Sequence, residues 1–414
     1  MTTSCPASPS SAVSIFTLCQ RVERIVRPVT YRVVAHDRRE PEDHALNKSA
    51  PLLLSVVAGA TALLLTVTGP AAANPNAINP IPVLNGTNGL PQLPGRTQAV
   101  FQVTGMQSPN NTQSYNVLGT DLGIMWDNGN GEMLTTFGDT AGLGFPNLLV
   151  GSTWAWRSNI LVRSHTQNPA NGIYFDSVVR DIFGQARDLI PSPKIPFLEI
   201  SRIPTAAISV GGTQFMSLMS VKSWDDVGQW TTNYSGLAVS GDNGENWVEL
   251  PATRRADDGG NGNFQMNAFV KNGGFVYEYG TASGRNNPAY VARVPEGAIG
   301  DLGAYEYWCG DKWKRGDVDG ATPVIGGGVS EMSVQWNDYL GQYIMLTTDP
   351  WNSVVMYRSP SPEGPWSGPE VLIDTRELPT AYAPAIFPYQ TGRDLYFLTT
   401  VHSQYNVILM HTTL

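Results

Sequence analysis

Cysteine and histidine are scarce in this chain, with three Cys and five His among 414 residues. No two His stand four apart and no Cys cluster exists, so zinc chemistry has few ligands to draw on. Charge is thin as well, at 15% Asp, Glu, Lys and Arg, with a net charge of -9 and no basic run. That excludes a sequence-independent nucleic-acid binder, which needs Lys/Arg stripes to displace counterions from phosphates. The G-x-S-x-G elbow of a Ser-His-Asp hydrolase is missing too. What is present is 42% hydrophobic and 10% aromatic residues, the composition of a packed globular protein. Its 42 Gly and 30 Pro are scattered without a collagen period, which points to many turns between short strands and an all-β fold.

Residues 1–73 differ from the rest. PLLLSVVAGATALLLTVT (51–68) follows Lys48 and precedes Ala71, Ala72 and Ala73, the pattern of a charged n-region, apolar h-region and small-residue cleavage site. The expectation is a secretory signal cut after Ala73, with residues 1–47 an over-extended start, residues 74–95 a linker and one domain over 96–414. An 18-residue run rich in small residues is marginal for spanning about 30 Å of hydrocarbon, so a membrane anchor is the weaker reading. Export would remove seven of 26 basic and five of 35 acidic residues, leaving 19 and 30 in a 341-residue mature chain. Cys309 would be its one cysteine, so no internal disulfide could form. Carboxylates, amides and Trp remain, the usual vocabulary of a carbohydrate site.

Five segments share one layout, a short apolar strand, a Gly/Asn/Asp turn and a second apolar strand: 120–140, 205–222, 267–283, 331–349 and 382–403. Between them lie further strand-like pieces at 158–165, 236–250, 289–295, 353–360 and 407–414. Two inner strands followed by one or two outer strands, repeated five times, predict a five-bladed β-propeller. The early strand TQAVFQVTG (97–105) is then free to pair with the last blade and close the ring. Ser240 through Trp247 (SGDNGENW) fits the S-x-D-x-G-x-x-W Asp-box, a turn between outer strands whose Asp accepts backbone N–H bonds and whose Trp packs between blades. It marks architecture and not chemistry.

In the first repeat the turn at 127–131 makes facing residues sum to roughly 258–260, which sets Asp121 near Asp139. Two carboxylates that close repel each other, so one keeps its proton while the other ionises. Glycoside hydrolysis needs that division: an acid to protonate the leaving oxygen, and a carboxylate to activate water or attack directly. The competing reading makes Asp139 a turn cap and Asp121 a strand start. Glu331 and Asp349 repeat the same 18-residue spacing, so a second acid pair is open. The equivalent positions in the other repeats are Thr205, Asn267 and Tyr382, expected with Asp121 and Glu331 at one mouth of the central channel.

GTDLGIMWDN and TTFGDT, followed by Trp156-Arg157-Ser158-Asn159, resemble the actinobacterial endo-D-arabinanases, glycoside hydrolase family 183, formerly domain of unknown function family 4185. The likeness covers roughly residues 95–414. It implies a five-bladed inverting enzyme that cuts internal α-D-arabinofuranosyl bonds of arabinogalactan and lipoarabinomannan, with Asp121 and Asp139 as its catalytic pair. Likeness to other furanosidase propellers implies Asp121 as base and Asp139 as acid, with Glu331 positioning sugar hydroxyls or tuning the acid.

Arg157, Asn159, Asn267 and Tyr382 are further substrate-binding candidates. Trp126, Trp154 and Trp351 read as inter-blade core. His402 follows the last inner strand, where a channel ion such as Ca²⁺ could sit, although no cofactor is required. The expected partner is a polysaccharide, D-arabinan, bound by a monomer with no nucleic acid and no stable membrane insertion. The rival functions are a non-catalytic sugar-binding propeller, an L-arabinanase-like enzyme and a sialidase; the last needs three convergent Arg, which the repeat starts do not supply.

Overall fold

The computed structural model describes residues 90–144 and 155–414. The expected signal segment, its cleavage near Ala73 and Trp154 all lie outside them. Alternating apolar and polar residues with Gly-rich turns give antiparallel sheets throughout. The first blade holds β2 (Gly119–Asp127), β3 (Met133–Gly142), β4 (Ala155–Arg157), β5 (Ile160–Ser164) and β6 (Ser177–Val178). The second holds β7 (Ser201–Val210), β8 (Thr213–Asp226), β9 (Gln229–Ser240), β10 (Val248–Glu249) and β11 (Arg255–Ala256). In the third are β12 (Met266–Asn272), β13 (Phe275–Thr281), β14 (Asn287–Pro295), β15 (Glu306–Trp308), β16 (Trp313–Arg315) and β17 (Ile325–Val329). The fourth comprises β18 (Ser333–Asn337), β19 (Gln342–Thr348), β20 (Val354–Ser359) and β21 (Glu370–Ile373).

The last blade, β22 (Ala381–Ile386), β23 (Asp394–Val401) and β24 (Asn406–Thr413), takes its outermost strand from the other end of the domain. There β1 (Thr97–Gln102) pairs with β24, from Thr97 opposite Thr412 to Gln102 opposite Ile408. Five sheets in a ring closed by this exchange make a five-bladed β-propeller, as the repeats predict. Radial repetition of small sheets leaves only short, protected edge strands.

Apolar side chains fill the space between neighbouring sheets. Met216 and Leu218 of the second blade pack on Trp126, Leu134 and Leu161 of the first. Ile344 and Leu346 of the fourth meet Phe397 and Ile408 of the fifth. Each such buried side chain contributes roughly 1.5–3 kcal/mol, so the ring is held by blade-to-blade contact as much as by its sheets. The Asp-box does what its sequence implies: Asp242 Oδ1 accepts from the Asn246 N–H at 2.9 Å and Trp247 Nε1 donates to Gly244 O at 3.0 Å. The Trp247 ring then packs edge-on against Trp126 of the first blade, 6.5 Å between centroids.

Candidate active site

Asp121, Thr205, Asn267, Glu331 and Tyr382 come from five different blades, each in the first half of its first strand or just before it. All five line one cavity of about 480 Å³, so the mouth position expected from the repeats is real. Asp139 lines the same cavity.

Two consecutive irregularities in the first hairpin place the aspartates there. Thr120 pairs with Thr140 and Leu122 with Phe137, so Gly138 and Asp139 together stand opposite Asp121; the next pair, Ile124 with Thr136, leaves Gly123 as an extra residue on β2. Bulges of this kind re-aim side chains beside functional sites. Leu122 takes a left-handed φ of 65° and Gly123 a φ of 111°. Thr400 of the fifth blade steadies the distortion by accepting the Leu122 N–H at 2.8 Å. Gly138 is needed for close approach, because a Cβ there would collide with Asp121 Oδ1 and stand 2.8 Å from Leu122 Cδ1.

The two carboxyls sit in different surroundings. Asp139 is 3% exposed, and the Ser201 hydroxyl donates to its Oδ1 at 2.5 Å. Burial pushes its pKa up to about 6; the Ser201 hydrogen bond, the Lys194 ammonium and the Trp156 indole hold it down, and Asp188 adds a smaller push upward. The Trp156 N–H faces this carboxyl but makes no hydrogen bond of normal geometry. Asp121 is held well above the ordinary carboxylate range, first by burial and next by the charge of Asp139; Tyr382 opposes this, its hydroxyl donating to Asp121 Oδ2 at 2.9 Å. Asp121 Oδ1 makes no hydrogen bond of normal geometry, although the Tyr405 hydroxyl faces this carboxyl. The Ser201 hydroxyl and the Lys194 ammonium thus favour the charged form of Asp139, whereas Asp121 has the Tyr382 hydroxyl and faces the charges of Asp139 and Glu331.

Glu331 is occupied by Arg285, whose Nη2 lies 2.7 Å and Nε 3.0 Å from its two carboxylate oxygens. The same guanidinium stacks 4.7 Å from the centre of the Tyr382 ring. His402 stands at the rim, its pKa lowered by burial and then by Arg285, which keeps the imidazole neutral near pH 7.

Several expectations need correction. Arg157 does not reach the cavity; its guanidinium donates to the carbonyls of Ala186, at 2.9 Å, and Asn116. Asn159 is spent likewise, donating to Ile190 O and Arg202 O at 2.9 and 2.8 Å and accepting from the N–H groups of Leu189 and Ile190. The WRSN segment thus ties the first blade to the chain leading into the second. Asp349 is no partner to Glu331, since its Oδ1 caps a turn by accepting from Trp351 N at 2.9 Å and Ser353 N at 2.8 Å. Asn267 lines the cavity, but its amide is engaged by Ser217 at 2.7 Å and Glu278 at 2.9 Å. Trp126 is core, whereas Trp351 is 76% exposed and is not.

Lys194, Ser201, Arg285, Trp224, Trp230 and Tyr405 escaped the sequence reading. Ser201 could have been found, as it begins the second blade's first strand; Lys194 and Arg285 lie in loops outside the repeated pattern and gave no signal. For Ca²⁺ the donors do not fit. Among the described residues no group of three or more His, Cys, Asp or Glu is placed to hold a metal, and Glu331 is already paired with Arg285. Among the described residues, too, no helix is long and apolar enough to cross a membrane.

Fold and cavity together define a five-bladed propeller with a paired-carboxylate site at one mouth of its channel. Residues 107–411 match the model of the domain of unknown function DUF4185, and the chain belongs to that family. Among curated proteins it is similar to notoamide biosynthesis cluster protein J of Aspergillus sp. (strain MF297-2), at 28% identity over 69% of this chain and 80% of that one. Among solved structures, a candidate hydrolase from Bacteroides ovatus ATCC 8483 aligns over 72% of this chain and 86% of its own, with a TM-score of 0.51 and 17% identity. The GH43_1 enzyme of Xanthomonas citri, solved with xylotriose, aligns over 73% and 88%, with a TM-score of 0.44 and 14% identity. At these identities the likeness extends to the fold alone.

Proposed function

We propose that this chain is a glycoside hydrolase that cuts internal α-D-arabinofuranosyl bonds of arabinogalactan or lipoarabinomannan with inversion, acting outside the cytoplasm after cleavage near Ala73. The observation that carries the reading is the bulged first hairpin, which delivers two carboxyls with different polar surroundings to one cavity. Asp139 is the base, its carboxylate removing a proton from the water that attacks the anomeric carbon. Asp121 is the acid, giving its proton to the departing glycosidic oxygen. This reverses the roles implied by likeness to other furanosidase propellers, because the Ser201 hydroxyl and the Lys194 ammonium favour charge on Asp139, while Asp121 faces the charges of Asp139 and Glu331.

In an inverting enzyme both proton transfers accompany one displacement, with the carboxyls on opposite sides of the scissile bond. Tyr382 holds the Asp121 carboxyl through Oδ2, leaving Oδ1 without a hydrogen bond of normal geometry and able to carry the proton. Ser201 fixes Asp139, and Arg285, paired with Glu331, partly offsets the upward push that the Glu331 charge gives Asp121. A sialidase is disfavoured, since the cavity lining contains one arginine and that one is paired.

A second reading is favoured by the apolar walls, which include Ile203, Met219, Met266 and Met332, and by kinship with proteins of a notoamide cluster. In it the cavity takes a small molecule with an apolar face. Incubation with mycobacterial-type arabinogalactan and analysis of the released oligosaccharides tests the first reading: mixed short oligomers support it, and an intact polymer refutes it. Replacing Asp121 or Asp139 by Asn should then abolish cleavage and keep binding; unchanged cleavage refutes the assignment of this pair, and a parent that binds the polymer without cutting it is a sugar-binding propeller.

A further inference from the structure

The β8–β9 hairpin overshoots its blade. Strand β7 ends its pairing with β8 where Ser201 faces Val221, yet β8 and β9 continue to Asp226 opposite Gln229. Facing residues Trp224 and Trp230 stack edge-on, 5.8 Å between centroids, and stiffen this arm. Its tip docks on the third blade, where the Arg285 N–H donates to Gly228 O at 2.9 Å. The arm contributes Trp224, Gln229 and Trp230 to the cavity lining, so the cavity is walled on the side of the second and third blades.

In a five-membered ring the fourth and fifth blades lie across the channel from the second. The lining there includes the exposed polar residues Asn352, Thr380 and His402. Trp351, next to Asn352, is the most exposed tryptophan among the described residues at 76%. Its loop is braced: Asp349 Oδ1 accepts from Trp351 N and Ser353 N at 2.9 and 2.8 Å, and Asn352 N donates to Asp349 O at 2.9 Å. A large apolar ring held in water on a rigid turn, one residue from a cavity lining, forgoes burial that its size would otherwise favour.

From this geometry we infer that Trp351 is an outer sugar-binding platform, on which a polysaccharide chain leaving the cavity over the fourth blade stacks a residue beyond those held inside. The inference rests on the polysaccharide reading and sharpens it: the outer aromatic contact lies on the fourth-blade side, across the cavity from the wall that the β8–β9 arm makes. Trp351 touches none of the reacting atoms and supplies binding remote from the scissile bond.

The test compares the parent full chain with Trp351→Ala and Trp351→Phe on two substrates, arabinogalactan and a short aryl α-D-arabinofuranoside, with polymer binding followed by tryptophan fluorescence and affinity electrophoresis. Loss of a stacking contact is expected to raise KM for the polymer about tenfold, the scale of a typical aromatic contact at an interface. Turnover of the short substrate should stay within about twofold, and Trp351→Phe should recover most of the loss. Unchanged polymer KM and binding in Trp351→Ala would overturn the inference, as would an equal fall on both substrates, which marks a structural role. The binding measurement decides the platform separately from catalysis. A parent that binds polymer through Trp351 without cutting it keeps the platform and removes the hydrolase, whereas a parent that neither binds nor cuts removes both.

Discussion

Replacing Asp139 by Asn should abolish cleavage and at the same time stabilise the fold at neutral pH. Raising a carboxyl from 3.8 to about 6 is a differential cost of about 3 kcal/mol once it is ionised, at 1.36 kcal/mol per tenfold change in acidity. Asp139 is almost wholly buried, so solvent screening does little to reduce that figure. Below pH 3.8 folded and unfolded chains both hold the proton and no cost exists. Between 3.8 and about 6 only the folded chain holds it, so stability falls as pH rises; above about 6 the full cost persists. Asn carries no charge and removes this slope, while its weaker hydrogen bond from Ser201 gives back about 1 kcal/mol. The net gain at pH 7 is then about 2 kcal/mol, and it should vanish or reverse near pH 4. Urea unfolding of parent and variant from pH 4 to 7.5 measures the difference. A variant less stable than the parent at pH 7, with the gap constant across the range, would show that Asp139 is a satisfied structural cap and refute the reasoning.

The acidic limb of the activity profile should follow the same group: kcat/KM rises with pH through about 6 as Asp139 ionises, and a profile flat from pH 4 to 7 would contradict its role as base. Lys194→Met removes a cation that holds this pKa down, so that limb should move to higher pH while the overall fold, read by circular dichroism, is kept. Asn159→Ala should lower stability by about 2–3 kcal/mol through its lost backbone hydrogen bonds, yet leave KM unaltered in the folded fraction, because the amide faces no cavity. Gly138→Ala should cut turnover at least a hundredfold by forcing the Asp121 carboxyl aside, with little effect on polymer binding.

The repeats were legible because every blade reuses one hairpin, and that periodicity fixed the positions of Asp121, Thr205, Asn267, Glu331 and Tyr382 at a common mouth. The facing-residue rule brought Asp121 and Asp139 together even though it assumes a regular ladder; the two bulges displace the register locally and leave the sum nearly unchanged. Equal spacing misled at Glu331 and Asp349, because the fourth hairpin has no such bulges and Asp349 falls into a turn. Arg157 and Asn159 misled for another reason. Polar side chains in a first blade look available to a ligand, but here the irregular chain between blades leaves carbonyls and N–H groups that these two satisfy. Arg285 and Lys194 were invisible because loops outside a repeat carry no period, and the electrostatics of a buried pair depends on such neighbours.

Treating mycobacterial-type arabinogalactan with the purified chain, with Asp121→Asn and Asp139→Asn in parallel, and following the first-formed anomer by proton NMR tests the central claim most directly. The account predicts short oligosaccharides released with inverted anomeric configuration by the parent, and none by either variant although both still bind the polymer. Cleavage that survives both substitutions, or a parent that leaves the polymer intact, would contradict it.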